Sequence, residues 1–443
     1  MKLKSIAFAA AALIASQAHA LTPADMNAAA TLKVYVGGAS ALSAAVGGLL
    51  TQNCDATTRT DYTQTGNAPF GKIYSCTLLP VNDFGITGTV AQRNIMFQKR
   101  DAGGSGFGVY PVASNTASPI DFINPTTCAG PAAGTGTCTS LFLNQADGGV
   151  SDVEPAVFAA LQNTPPEFPG QSVGNNSTSQ PINQTVFGVA VTNKLYLKLQ
   201  ADQGLAANIR PNVSQAVVGQ MLRSGFLAGD ISWKVMLPNT VDGTQNSQVT
   251  ICRRVNGSGT QAAANRFFLE YPFNVAAVQE PLTAGDSSVV AHGTTAGGLY
   301  VVENSATADS RNCMTAADTA SGFAIGHISL ENAETAAWKF VKVSGQEPSR
   351  DEAKAGRYAY FFESTGQIRK NAAVNVKSFL TSFFTGAGKP ENLAQLSAAA
   401  QNGVMANPSI CPILFGGGTA NEIKFCSRVT RNGNSAEFPS FFR

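Results

Sequence analysis

Arg254-Val255-Asn256-Gly257-Ser258-Gly259-Thr260 is the stretch best equipped to do chemistry. A guanidinium offers a planar fork of donors that can hold an oxyanion through two hydrogen bonds. Glycines and small hydroxyl residues follow it, and Ala262 to Tyr271 then reads as a helix. Backbone N–H groups at a helix start lack partners, and the helix dipole favours an anion there. A Ser or Thr at that place adds a donor without much bulk. Gly37-Gly38-Ala39-Ser40, after the strand-like run Leu32 to Val36, repeats the arrangement. So does Gly103-Gly104-Ser105-Gly106, after the strand candidate Asn94 to Gln98. The chemistry on offer is donation to a small oxyanion or carboxylate. An ordinary turn and N-cap is the competing reading at Ser40, at Ser105 and at Ser258 to Thr260.

The elements that must position these loops alternate between strand and helix, which argues for an α/β plan with ligands at strand ends. Ala41 to Leu50 reads as a helix, and 155 to 161 as a short helix-like piece. Val186 to Val191 is a candidate crossing strand. Ser214 to Arg223 is a helix, with Gly225 to Trp233 as its exit, and Thr250 to Arg254 is a strand. Phe323 to Leu330 is a strand that crosses back, Trp338 to Val343 resembles a surface strand, and Ala353 to Glu363 is strand-prone. Val374 to Phe384 and Asn392 to Gly403 supply two later helices. Residues 51 to 90 read as a polar loop or small insertion, and 113 to 147 as irregular structure. No fixed-period repeat is visible.

The 443 residues are enough for two or three domains. Charged residues make up 13% of the chain and the formal net charge is +2, so no strong field draws in nucleic acid or an acidic membrane. Lys2 and Lys4, the apolar run Ile6 to Ile14 and Ala18-His19-Ala20 match a secretory signal peptide over residues 1–20. Cleavage after Ala20 and a periplasmic or secreted location are the expectation. The apolar run is too short for a lasting bilayer anchor, and no other stretch looks like a membrane helix.

Cys54, Cys76, Cys128, Cys138, Cys252, Cys313, Cys411 and Cys426 are even in number and suit an oxidising compartment. Sequence does not give connectivity. Consecutive pairing is preferred, because three of those pairs close short or moderate loops in polar, glycine-rich segments. A metal site is the rival, but there is no CxxC pair, and His292 and His327 are the only histidines after residue 20. His327 follows Gly326 in a strand candidate, so a packed histidine is expected there. No G-x-S-x-G, H-E-x-x-H or glycine-rich nucleotide loop occurs. The chain is therefore read as a non-enzyme, without catalytic residues, metal or cofactor.

In their order, these segments resemble the periplasmic phosphate-binding family, the type II solute-binding proteins of ABC importers. Arg254 to Thr260 looks like the family's Arg-x-Asp-Gly-Ser-Gly-Thr anion loop. The loops at 37–40 and 103–106 resemble its first and second ligand loops, and Val150-Ser151-Asp152 its Ser-Asp element. Leu222 to Trp233 and Ala324-Ile325-Gly326 are similar to its Gly-x-Ile-x-x-Trp and Ala-Ile-Gly segments.

The resemblance implies a two-lobed fold with crossings near 185 to 192 and 325 to 332. Residues 21–188 form the first part of lobe 1, with insertions near 51–90 and 113–147. Residues 189–326 form lobe 2, and 327–443 return to lobe 1 and add a C-terminal extension. Ser40, Ser105, Arg254, Ser258 and Thr260 are the implied donors, with the N–H of Gly259. Asp152 accepts from a protonated phosphate or orients Arg254, while Arg253 points the other way. Asn256, also an implied ligand-binding residue, stands where the family has Asp and can accept through its carbonyl, but it carries no charge, which implies weaker discrimination against sulfate; Ala41 stands where the family has Phe. The implied partners are a small oxyanion and the membrane subunits of an ABC transporter. The alternative is a secreted or cell-surface structural protein that keeps the fold without ligand transport.

Overall fold

Apolar, β-branched strands with no exposed face are what a sheet covered on both sides requires, and the first strand meets that need. In β1 (Leu32–Gly38), Val34 and Val36 are fully buried. The computed structural model describes residues 21–442, except 67–69, 115–117, 131–133, 170, 225–231, 274–279, 289–297 and 412–417. The expected signal peptide, most of the segment Gly225 to Trp233, and His292 lie outside the described residues.

Helix α1 (Ser43–Asn53) follows β1. Next come β2 (Thr60–Gln64), β3 (Gly71–Thr77), β4 (Asn94–Arg100), helix α2 (Gly106–Ala113), β5 (Gly134–Cys138) and β6 (Gly148–Ser151). β1 lies between β4 and β6, parallel to both. The segment 51–90 is not a loop. Its strands extend the sheet, β3 antiparallel to β4 and β2 antiparallel to β3, and β5 adds parallel to β2. Nor is 113–147 irregular throughout: Ile120–Ile123 pairs with Leu141–Asn144. The sheet ends in the two-residue strand Cys128–Ala129, laid against Cys138 and Thr137.

β7 (Ser177–Thr192) then runs through both halves of the molecule. Its first part pairs with β12 (Phe361–Arg369), which in turn pairs with β6. From Phe187 onward β7 pairs with β10 (Phe323–Ser329) and β11 (Trp338–Val343). β8 (Val249–Arg254) lies parallel to both β9 (Leu299–Asn304) and β10, completing the second sheet. At its edge, the Ser288 and Ser287 hydroxyl oxygens accept the N–H groups of Leu299 and Val301 at 2.6 and 2.9 Å. Helix α3 (Gly259–Leu269) follows β8, and α4 (Thr307–Thr319) follows β9.

β7 passes from pairing with β12 to pairing with β10 at Val186–Phe187. The return comes later than 325 to 332. β10 and β11 both still pair with β7 in the second sheet, so the chain re-enters the first between Val343 and Phe361. β11 is no surface strand, since Trp338 and Val341 are fully buried against α4 and β7. Ala353 to Glu363 divides into the end of a helix, Arg350–Lys354, and the start of β12.

Helix α5 (Val374–Ala387) carries Phe379, Leu380, Phe383 and Phe384 on one face, the spacing of an amphipathic helix. Phe383 stacks on Phe97 at 4.9 Å and Phe379 packs on Phe84 at 4.7 Å, which fixes α5 beneath the first sheet. Each such buried ring contributes roughly 1.5–3 kcal/mol. Asn392 to Gly403 forms two short helices, Pro390–Leu393 and Ala398–Asn402. The disulfides are Cys54–Cys76, Cys128–Cys138, Cys252–Cys313 and Cys411–Cys426.

Candidate functional site

The ends of parallel strands from both sheets deliver polar residues to one seam. After β1, Ser40 opens a 3-10 turn that leads into α1. After β4, Ser105 stands ahead of α2, and its Oγ accepts the N–H of Asp152, the residue after β6, at 3.1 Å. After β8, Ser258 caps α3 by accepting the N–H of Gln261 at 3.3 Å. After β9, Asp309 caps α4, its Oδ2 accepting from Ala306 N–H at 2.9 Å and from the Ser305 hydroxyl at 2.7 Å.

The two lobes meet directly across this seam. Gly106 N–H donates to Gly257 O at 2.7 Å. Thr260 Oγ1 donates to Asp152 Oδ2 at 3.4 Å, and the hydroxyls of Ser40 and Thr307 lie 3.1 Å apart. Glycine is needed for this approach. A β-carbon on Gly259 would stand 2.2 Å from Ser105 Oγ, and one on Gly104, whose φ is +72°, would stand 2.8 Å from the Cα of Ser258.

Arg254 is 2% exposed. Its Nε donates to Asn304 O at 3.1 Å, Nη1 to Thr307 Oγ1 at 2.9 Å and Nη2 to Ser305 O at 2.8 Å. None of the ion pairs formed among the described residues includes it. Burial pulls its guanidinium down to about 10, against the pull of Asp152 and more distant carboxylates, so it stays charged at neutral pH. Asp152 shows the converse. Burial raises its carboxyl to about 6, while Arg254, Lys99 and the hydroxyls of Thr260 and Ser105 act to lower it. Its Oδ1 is buried and has no hydrogen-bond partner among the described residues.

Ser40, Ser105, Asp152, Arg254, Ser258, Gly259 and Thr260 are thus gathered in one seam. Asn256 is turned away from it. Arg253, also 2% exposed, needs acceptors, and Asn256 Oδ1 takes its Nη2–H at 2.7 Å. Arg254 O takes its Nε–H at 2.9 Å, and Leu282 O and Glu303 are further partners. Neither arginine is a solvated surface group.

Sequence reading missed Thr307, which links Arg254 to Ser40. It follows a glycine-free turn, and its only signal is the Asp two positions on, at the helix start. Lys99 was also missed. Its Nζ donates to Gly38 O at 2.7 Å, Ala39 O at 3.0 Å and Asp101 Oδ1 at 2.6 Å, and Asp101 takes the Ser43 hydroxyl at 2.6 Å. This group ties the first loop to α1. Just beyond β10, burial and the charge of Asp152 push the Glu331 carboxyl well above the usual range. A separate cavity of about 430 Å³, lined by Glu154, Glu363, Asn407 and Phe442 among others, shares no residue with the seam. Among the described residues no group of three or more metal-binding side chains occurs, and no helix is long and apolar enough to cross a membrane.

The class defined here is a two-lobed α/β fold with a shared strand and a donor-lined seam between its lobes. No family model matches the chain, and no curated protein does. Among solved structures its fold is similar to a phosphate ABC transporter substrate-binding protein with bound phosphate from Clostridium perfringens. That match has 11% identity, covers 84% of this chain and 99% of that one, and has a TM-score of 0.43. It is similar also to an ABC-type phosphate transport receptor from Vibrio cholerae, at 15% identity over 56% of this chain and 78% of that one, TM-score 0.33. PstS from Borrelia burgdorferi matches at 10% identity over 82% of this chain and 97% of that one, TM-score 0.34.

Proposed function

We propose that the seam binds one small oxyanion that carries a proton, inorganic phosphate by first preference. One pairing supports this reading above all. Arg254 is a buried cation with no carboxylate within ion-pair distance among the described residues, and Asp152 Oδ1, in the same seam, is a buried acceptor with no donor. An unpaired buried charge costs several kcal/mol, and an orphaned acceptor about 1–3 kcal/mol. A protonated anion answers both, accepting from Arg254 and donating to Asp152. Ser40, Ser105, Ser258, Thr260 and the N–H of Gly259 are the further donors.

This reading moves the discrimination against sulfate from position 256 to Asp152. Sulfate has no proton to give at neutral pH, so it leaves Oδ1 unanswered. Binding rather than turnover is the activity, and delivery to the membrane subunits of an ABC importer outside the cytoplasm is the role. Titration calorimetry on protein stripped of ligand tests it, with phosphate, sulfate and small carboxylates from pH 5 to 8. One phosphate site per chain, tighter than for sulfate, is the expected result.

A second reading has its own support. Arg254 already donates to Asn304 O, Ser305 O and Thr307, and Thr307 meets Ser40, so the seam partly satisfies itself. No binding of any of these anions would leave a secreted or surface structural protein that keeps the fold.

A further inference from the structure

Ser435, near the C-terminus, is held from both sides of the seam. Its N–H donates to Glu154 Oε1 at 2.8 Å, and Glu154 lies two residues beyond Asp152 in the first lobe. Its carbonyl accepts from Arg266 Nε at 2.6 Å, and the next carbonyl, of Ala436, accepts from Arg266 Nη2 at 2.5 Å. Arg266 belongs to α3, the second-lobe helix whose first turn carries Ser258 to Thr260.

The segment is itself anchored beside the return crossing. Arg431 is 3% exposed, lies over the Phe362 ring at 4.4 Å, and donates to Phe361 O at 3.0 Å and Ala359 O at 2.8 Å. Glu363 Oε1 accepts from Arg431 N–H at 3.0 Å and from the Thr430 hydroxyl, and its Oε2 accepts from Gly433 N–H at 2.5 Å. Val429–Thr430 pairs with Ser440–Phe441, which folds the end of the chain back on itself.

A segment fixed at the crossing and bonded to both lobes opposes their separation. We propose that residues 429–441 form a clasp that restrains opening of the seam, with Arg266 and Glu154 as its two points of attachment. The strap rests on contacts between lobes and not on the identity of any ligand. Opening at the seam must break the bonds from Arg266 or the bond to Glu154, both of them charge-assisted. The clasp therefore favours the closed form and slows exchange of whatever the seam holds.

The test uses the full chain with spin labels at Val90→Cys in the first lobe and Val241→Cys in the second. These sites are 58% and 99% exposed, and all the native cysteines are bridged. Pulsed electron–electron distance measurements without added ligand are expected to give one narrow distribution in the parent. Arg266→Gln and Glu154→Ala, each cutting one attachment, are expected to add a longer population. Release of labelled inorganic phosphate is expected to be at least about tenfold faster in Arg266→Gln, the factor that corresponds to losing one such bond. Unchanged distributions in both variants, with native disulfides and circular dichroism retained, would overturn the clasp. Absence of phosphate binding in the parent would remove the receptor reading and leave the distance result standing by itself.

Discussion

Arg253 and Arg254 are consecutive residues of one buried strand, yet their guanidinium groups serve different ends of the second lobe. Arg253 reaches Leu282 O, Asn256 and Glu303. Arg254 reaches Asn304 O, Ser305 O and Thr307 at the seam. Their substitution is expected to separate binding from stability. Arg254→Ala should weaken phosphate binding at least about a hundredfold, the loss of two charge-assisted bonds. Arg253→Ala should change affinity only a few-fold while lowering stability by about 3 kcal/mol, through orphaned acceptors and lost packing. Calorimetry and urea denaturation of both variants check this, and equal losses of affinity would refute it.

Asp152 makes stability depend on pH. Its carboxyl titrates at about 6 in the folded chain against 3.8 for the ordinary group. Below 3.8 both states hold the proton. As pH rises, the unfolded chain gives it up first, so the stability this proton confers is lost on passing through about 6. The difference is on the order of 3 kcal/mol. Asp152→Asn is expected to remove that fall, as seen by urea midpoints from pH 4 to pH 7.

His327 acts in the opposite sense. It is 3% exposed, its Nδ1 is 3.2 Å from Tyr360 OH, and burial lowers its pKa to about 3 from 6.5. As pH falls below 6.5 the unfolded imidazole takes up a proton that the folded one refuses, so stability is lost toward acid. His327→Phe is expected to gain stability relative to the parent on going from pH 6.5 to pH 4 in the same urea series, because the contribution of Asp152 is then unopposed. In the parent, Asp152 and His327 partly cancel over that interval, so the profile is flatter than in either variant.

Cys252 and Cys313 join β8 to α4, the strand that ends in Arg254 to the helix that starts at Thr307. Replacing both by Ala opens a loop with a separation of 61 residues and is expected to cost about 2–4 kcal/mol. It should also lower phosphate affinity, because the Arg254–Thr307 contact loses its tether. A variant with reduced stability and unchanged affinity would show that the bridge does not hold the site.

Ser258→Ala and Thr260→Val remove hydroxyls on the second-lobe side. The first also removes an N-cap, worth about 1 kcal/mol. Both are expected to fold and to bind phosphate more weakly, by calorimetry at matched folded fraction. An affinity equal to the parent in both would exclude these hydroxyls as donors.

The loops that meet at the seam are legible because their signal is local: glycine and small hydroxyls directly after an apolar strand. The α/β plan was legible for the same reason. Contacts between distant segments left no such mark. Thr307 meets Arg254 only because β9 lies beside β8. Asn256 looks like a ligand residue in sequence, and only the burial of Arg253 explains where its oxygen goes. β2 and β3 lie in a segment whose polar composition reads as loop, and their pairing with each other and with β4 decides their conformation. The return crossing lies later than expected because β10 and β11 both pair with β7, and such long-range pairing leaves no local mark in the sequence.

β7 joins the first and second sheets into one continuous sheet, whose two outer ends govern how this chain meets other copies of itself. A sheet that stops at an open strand offers a row of unpaired backbone groups onto which another chain can grow. Here one terminus is a strand of only two residues, Cys128–Ala129, cross-linked to its neighbour through Cys138. At the other terminus, Ser287 and Ser288 occupy the outward N–H groups of Val301 and Leu299 with their own side chains. Neither end presents a long template for strand addition, so a sheet that spans both lobes is protected against end-to-end polymerisation.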